Sequence, residues 1–234
     1  MIRYEVEFFG CGSAFNPLDG NTSAYFTIGR KLYIVDVGES VFLKLYEKDL
    51  LRQYDEILIL ITHLHADHVG SLPSLISYVY YVLGKTVMVM HPDPGLWQLL
   101  DLMGIDRTAY HRLECHALED GKLNINAVPV RHADDMRCYG YVIECDGESI
   151  YYSGDSYEIP ESILQKFRNR EINRIYQDTA EFSSGHRSHC PLEELERDIP
   201  EDLRKYVYCM HFTTDFTEKL KTMGFCQVMQ PVKT

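Results

Sequence analysis

The chain has 234 residues, 45% of them hydrophobic, and a formal net charge of −12. That apolar share fills a substantial core, which excludes disorder and a disulfide-stapled miniature scaffold. No apolar run reaches membrane-spanning length, and the acidic balance disfavours a broad electrostatic footprint on nucleic acid.

The N-terminus Met1-Ile2-Arg3-Tyr4-Glu5 enters a strand at once and leaves no room for a signal peptide. The seven cysteines (Cys11, Cys115, Cys138, Cys145, Cys190, Cys209 and Cys226) are odd in number and form no Cys-x-x-Cys pair. They read as reduced thiols of a cytoplasmic protein.

Taken in order, strands are expected at Tyr4–Phe9, Ser23–Ile28 and Leu32–Val37, then a helix over Ser40–Leu50 and a strand at Glu56–Ile61. A helix follows from about His68 to Leu83, carrying Val69, Leu72, Leu75, Ile76, Val79 and Leu83 at helical spacing, with Pro73 in its early turns where it is best tolerated. Strand Thr86–Met90 leads through Pro92-Asp93-Pro94-Gly95 to a helix over Leu96–Met103. The second half repeats the theme. Its strands are expected at Leu123–Val130, Gly140–Glu144, Ser149–Tyr152, Arg174–Gln177, Val207–Met210 and Cys226–Met229, and its helices at Ile159–Phe167 and Leu192–Arg197. Asp146-Gly147 is a strong hairpin signal. Strands and helices mixed in both halves predict an α/β fold of two sheets with helices outside, an αββα sandwich, organised as one domain over residues 1–234.

The segment His63-Leu64-His65-Ala66-Asp67-His68 stands directly after the apolar run Ile57–Ile61. In an extended segment His63 and His65 point the same way, with Leu64 opposite. Imidazole and carboxylate are the groups that zinc and other borderline divalent ions bind. Further along, His132 follows the run Ile125–Val130, Asp155 sits in Ser153-Gly154-Asp155-Ser156 after Ser149–Tyr152, and His211 ends Tyr206–Met210. Each candidate stands at the carboxyl end of a β-like run, where α/β folds assemble active sites.

This spacing resembles the metallo-β-lactamase superfamily, in its His-x-His-x-Asp-His branch of dinuclear hydrolases. Gly10-Cys11-Gly12-Ser13-Ala14 with Asn21-Thr22-Ser23 is similar to the family's opening turn and second strand, and Leu32–Gly38 to its strand with a site-supporting Asp. The resemblance implies two divalent metal ions. His63, His65 and His132 would hold one, Asp67, His68 and His211 the other, and Asp155 would bridge them. Zinc is the default, and manganese or iron fits nearly as well. Two such cations lower the pKa of a shared water and clamp the attacking and leaving oxygens, so no serine or cysteine nucleophile is required. Asp67 counts both as a ligand and among the catalytic residues. Asp36 reads either as an acceptor for a ligand imidazole N–H or as a turn carboxylate before Gly38.

Asp178, in Tyr176-Gln177-Asp178-Thr179-Ala180, and the segment Gly185–Leu195 resemble the ribonuclease Z and phosphodiesterase branch, where a carboxylate and a histidine assist near the phosphate. His189 is favoured for that histidine because it precedes a helix start with Pro191 early and Glu193-Glu194 in the first turn; His186 is the alternative. Either would protonate a leaving oxygen or bind a phosphate oxygen. His91, His111 and His116 have no partner pattern and read as structural or exposed. The short stretch between His132 and Asp155 reads as a compact hairpin, with no room for the basic, glycine-rich arm with which ribonuclease Z holds tRNA. A small anionic substrate, a cyclic nucleotide or other cyclic phosphodiester, suits the chain better than extended nucleic acid. Maturation of tRNA 3′ ends, hydrolysis of a lactone or thioester on the same fold, and non-enzymatic metal binding are the other readings. Tyr78, Tyr80, Tyr81, Trp97 and Tyr110 read first as core, and are also compatible with stacking near the site or with a homodimer interface.

Overall fold

The computed structural model describes residues 5–183 and 185–228. Tyr4 of the first expected strand and Met229 of the last lie outside the described residues. Two compact units divide the described chain at residue 117.

The first unit is built on six strands in the order β1 (Glu7–Gly10), β2 (Ser23–Ile28), β3 (Lys31–Val35), β4 (Glu56–Leu60), β5 (Val87–Met90) and β6 (Tyr110–Leu113). The first two pairings are antiparallel and the rest parallel. Parallel neighbours require crossovers, which α1 (Val41–Glu47), α2 (Leu50–Gln53), α3 (Ala66–Val69), α4 (Leu72–Tyr81) and α5 (Gly95–Leu102) supply. Ile57 through Leu60 of β4 are all almost fully buried. The run therefore shows no polar alternation, as a strand covered on both faces should not. Ile57, Ile59 and Ile61 share one core with Leu32 and Ile34 of β3 and with Val41, Leu45, Leu75, Ile76 and Val79 of the helices. Register aligns Val35 with Leu60 and Leu60 with Met90. Asp36, Thr62, His63 and His91 consequently leave the sheet at one edge.

One expected helix becomes two. The structure ends α3 at Val69 and restarts at Leu72. The break follows from a crossing with residues 37–38. Val37 N–H donates to the His68 carbonyl, Ser71 N–H to the Val37 carbonyl (3.1 Å), and the Ser71 hydroxyl to the Gly38 carbonyl. Backbone groups used this way are not available to a continuous helix, and Pro73 at the second position of α4 has no N–H to lose.

The second unit carries seven strands, in the order β13 (Cys226–Gln227), β12 (Val207–Met210), β11 (Arg174–Asp178), β10 (Glu148–Tyr152), β9 (Cys138–Cys145), β8 (Leu123–Val130) and β7 (Ala117–Asp120). Pairings from β10 to β13 are parallel, and those from β7 to β10 antiparallel. Across β9, β8 thus runs in the same direction as β10, so the segments after β8, β10, β11 and β12 leave one edge. Helices α6 (Glu161–Arg168), α7 (Leu192–Asp198) and α8 (Thr217–Thr222), with a 3₁₀ turn at Glu201–Tyr206, complete the unit. Ile163, Leu164 and Phe167 form the buried side of α6. Asp146 and Gly147 turn the β9–β10 hairpin with φ of 50° and 87°, the left-handed pair a type I′ turn requires. This hairpin occupies the stretch between His132 and Asp155, and no long arm stands there. Strands β6 and β7 and helix α8 were not expected from the sequence.

Among the described residues no helix is long and apolar enough to cross a membrane, and all seven cysteines are free.

Gly38 is where the first unit is least forgiving. A Cβ there would overlap the Asp67 carbonyl oxygen and crowd the Asn21 side chain. Gly38→Ala is expected to destabilise the protein by about 1–3 kcal/mol, the usual cost of forcing atoms into a packed interior. Equilibrium urea unfolding measures this, and an unchanged midpoint would show that α3 yields without cost.

Candidate metal centre

In the first unit the donors are arranged around Asp36, which is fully buried and adopts φ of 63°. One carboxylate oxygen accepts the Thr62 backbone N–H at 2.8 Å, and the other accepts the Thr62 hydroxyl at 2.8 Å. That second oxygen is also 2.8 Å from His68 Nδ1. Of the two sequence readings of Asp36, the acceptor for an imidazole N–H is the one the geometry shows. His63 Nε2 and His65 Nδ1 converge to 3.0 Å, and His68 Nε2 and Asp67 Oδ2 to 3.3 Å. Two donors on one tetrahedral zinc, at ~2.0–2.1 Å bonds, stand about 3.3 Å apart. Both pairs therefore fit a shared ion.

In the second unit the carboxylate of Asp155 faces two imidazoles. Its Oδ1 lies 3.3 Å from His211 Nε2, and its Oδ2 lies 3.6 Å from His132 Nε2. Each oxygen thus has its own histidine, at separations long for a hydrogen bond and suited to a carboxylate that spans two ions. Of the remaining ring nitrogens, His132 Nδ1 is within hydrogen-bond distance of the Ser188 carbonyl at 2.8 Å, and His211 Nδ1 faces Asp178 Oδ1 at 3.5 Å. His211 holds φ of 67°, a conformation uncommon for a residue with a bulky side chain.

Asp178 is fully buried. Its Oδ2 accepts the Ser156 backbone N–H at 3.0 Å and stands 2.7 Å from His189 Nδ1. Burial pulls the His189 imidazole down, but the charge of Asp178 and its hydrogen bond more than reverse this, and the net shift is upward. His189 remains a third exposed. Asp178 is enclosed behind it, with its two oxygens turned toward His189 and His211. Asp155, Asp178, His189 and His211 also each offer one donor atom within 4.8 Å of the others, so His189 stands close enough to be counted with the ligands.

The other sequence candidates separate cleanly. His186 is exposed on the loop that carries His189. His91 is buried with Nδ1 2.8 Å from the Ile61 carbonyl, and burial holds its pKa below the ordinary value. His111 and His116 are exposed. Trp97 and Tyr110 are buried and stacked with centroids 6.0 Å apart, while Tyr81 is 69% exposed. Sequence reasoning did not single out Thr62 or the Ser188 carbonyl. For Thr62 a signal existed, a hydroxyl residue between the apolar run and His63; a backbone carbonyl leaves none.

The family of anti-Pycsar protein Apyc1 matches residues 4–234. An anti-Pycsar protein Apyc1 from Bacillus phage BSP38 is 29% identical, covering 94% of this chain and 94% of the relative. A ribonuclease Z from Bacteroides thetaiotaomicron is 27% identical over 94% of this chain and 71% of its own length. Among solved structures, the metallo-β-lactamase fold protein YhfI from Bacillus subtilis superposes with a TM-score of 0.75 at 18% identity, over 94% of this chain and 91% of that one. The fold is the αββα metallo-β-lactamase fold that the order of strands and helices led us to expect. The chain is a metal-dependent hydrolase of the branch that includes ribonuclease Z and phosphodiesterases. It belongs to the anti-Pycsar protein Apyc1 family.

Proposed function

We propose that this protein is a dinuclear phosphodiesterase whose two units act as one domain on a small or cyclic phosphodiester. In this reading His63, His65 and His132 hold one divalent ion, Asp67, His68 and His211 the other, and Asp155 bridges them. The observation that carries it is the Asp155 carboxylate, whose two oxygens face His211 and His132 separately. Membership of the anti-Pycsar family and the ribonuclease Z relatives support phosphodiester chemistry. The short β9–β10 hairpin and the net charge of −12 favour a small diester, such as a cyclic nucleotide, over tRNA.

Bound zinc, or manganese or iron, would supply an activated water and a clamp for the phosphoryl oxygens. The chain's own residues do the rest. Asp178 accepts the His189 Nδ1 hydrogen and fixes the ring, which leaves the other ring nitrogen for a phosphate or leaving-group oxygen. The charge of Asp178 and its hydrogen bond shift that imidazole toward its protonated form, the direction a general acid needs.

Two variants test this. Asp155→Ala is expected to lower the metal content from about two ions per chain and to abolish hydrolysis, because one carboxylate serves both first shells. Elemental analysis of the purified variant reads this directly, with the exposed His111→Ala as the control that keeps metal. Equal metal content and turnover in both variants would reject the bridge. His189→Ala is expected to keep its metal and to lose roughly 10²–10⁴-fold in rate, the scale of general acid–base assistance. The loss shrinks for an aryl phosphodiester, whose leaving group needs little protonation. A variant that hydrolyses every diester in the panel at the parental rate has no such role for His189, and one that loses an ion makes His189 a ligand.

A further inference from the structure

We propose that the Thr62 hydroxyl is a relay through which Asp36 sets the orientation and tautomer of His63 as well as His68. This rests on the dinuclear reading above.

The argument is a proton count at a closed site. Thr62 and Asp36 are both fully buried. A carboxylate has only acceptors, and a threonine hydroxyl has one hydrogen. That hydrogen points to Asp36 Oδ2 at 2.8 Å. The Thr62 oxygen can then only accept, and His63 Nδ1 stands 3.1 Å from it. The nitrogen must therefore carry the hydrogen, which makes His63 the Nδ1–H tautomer and leaves Nε2 as its donor atom. Nε2 is the atom that converges with His65. By the direct route, His68 Nδ1 donates to the same Asp36 oxygen, and His68 Nε2 turns toward Asp67. One carboxylate thus orients a ligand of each proposed ion, one directly and the other through a hydroxyl. The Thr62 backbone N–H bond to Asp36 Oδ1 anchors the relay and does not depend on the side chain.

Thr62 is accordingly a positioning residue, and its variants separate hydroxyl from shape. Thr62→Val keeps the branched shape and the backbone bond but has no O–H; Thr62→Ser keeps the O–H. Zinc affinity is measured by competition with a chromophoric chelator on the full chain. Thr62→Val is expected to weaken one of the two ions by about 10–100-fold, the usual effect of losing a group that orients a ligand, and Thr62→Ser to stay close to the parent. Parental affinity in Thr62→Val overturns the relay, and so does an equal loss in Thr62→Ser, which would make the role one of packing. A parent that binds no zinc sinks the dinuclear reading instead. Nitrogen-15 NMR of the zinc-loaded parent needs no variant to fold: His63 is expected to carry its hydrogen on Nδ1, and a hydrogen on Nε2 overturns the proposal.

Discussion

A histidine fixes a metal in space only when its second ring nitrogen is itself tied down. An untethered imidazole rotates, exchanges tautomers and offers its lone pair in the wrong direction for much of the time. The described structure meets this constraint at each unit separately. Asp36 accepts from His68 and reaches His63 through Thr62. In the second unit Asp178 faces both His189 and His211, and a main-chain carbonyl, that of Ser188, holds His132. Two buried carboxylates in equivalent supporting positions organise most of the donor atoms. His65 Nδ1 in turn faces His63 Nε2 at 3.0 Å.

Placing Asp36 and His211 puts strain on the backbone where parallel strands end. Asp36 follows β3 and His211 follows β12, each with φ above 60°. Left-handed conformations at non-glycine residues cost roughly 1 kcal/mol or more and persist only when their surroundings enforce them. The surroundings are visible in both cases. Asp36 is held by its N–H bond to the Leu60 carbonyl, by its own carbonyl accepting the Ser23 hydroxyl, and by both bonds from Thr62. His211 leaves β12 just after Met210, whose carbonyl accepts the Thr179 N–H from the strand alongside. The turn away from the strand direction at each point swings the side chain off the sheet edge and toward the other donors. A residue in extended conformation there would continue the strand and point to a sheet face.

How much of this the chain discloses depends on the range over which each feature is decided. The His63–His68 cluster is decided within six residues, and the histidines and Asp155 at the ends of apolar runs are decided by the run itself, so both were legible. So was the β9–β10 hairpin, because Asp-Gly alone supplies the left-handed pair. The break between α3 and α4 was not, because it is imposed by residues 37–38, far off in sequence, and the periodicity of Val69, Leu72, Leu75, Ile76 and Val79 continues across it. Strand β6 was missed because His111 and Arg112 interrupt its apolar pattern, although its pairing with β5 is regular. Asp178 was legible as a candidate, but not its surroundings. Its enclosure behind His189 depends on the register of β11 with β12 and on the path of the loop before α7, neither of which a local pattern encodes.

Charge supplies the last step. Each unit buries two carboxylates among its histidines, Asp36 and Asp67 in the first, Asp155 and Asp178 in the second. Hydrogen bonds from ring nitrogens, a hydroxyl and backbone N–H groups reach some of these oxygens but do not cancel their charge, and buried charge is costly unless it is compensated. Two divalent cations carry the same total charge as four carboxylates, so the proposed centre is balanced as a whole while its first shells are not: only Asp67 and Asp155 would touch the ions, and the charge of Asp36 and Asp178 sits one layer further back. In a chain of net charge −12, a centre balanced in this way would give an anionic diester little long-range attraction, and screening removes what there is within a Debye length of ~8–10 Å. In the proposed centre recognition would then depend on contacts made after arrival, at the ions and at His189. A small diester can make all of them at once. A long polyanion such as tRNA would have to bring many phosphates up to a chain of net charge −12, and this difference is the physical reason for proposing a small phosphodiester as the substrate.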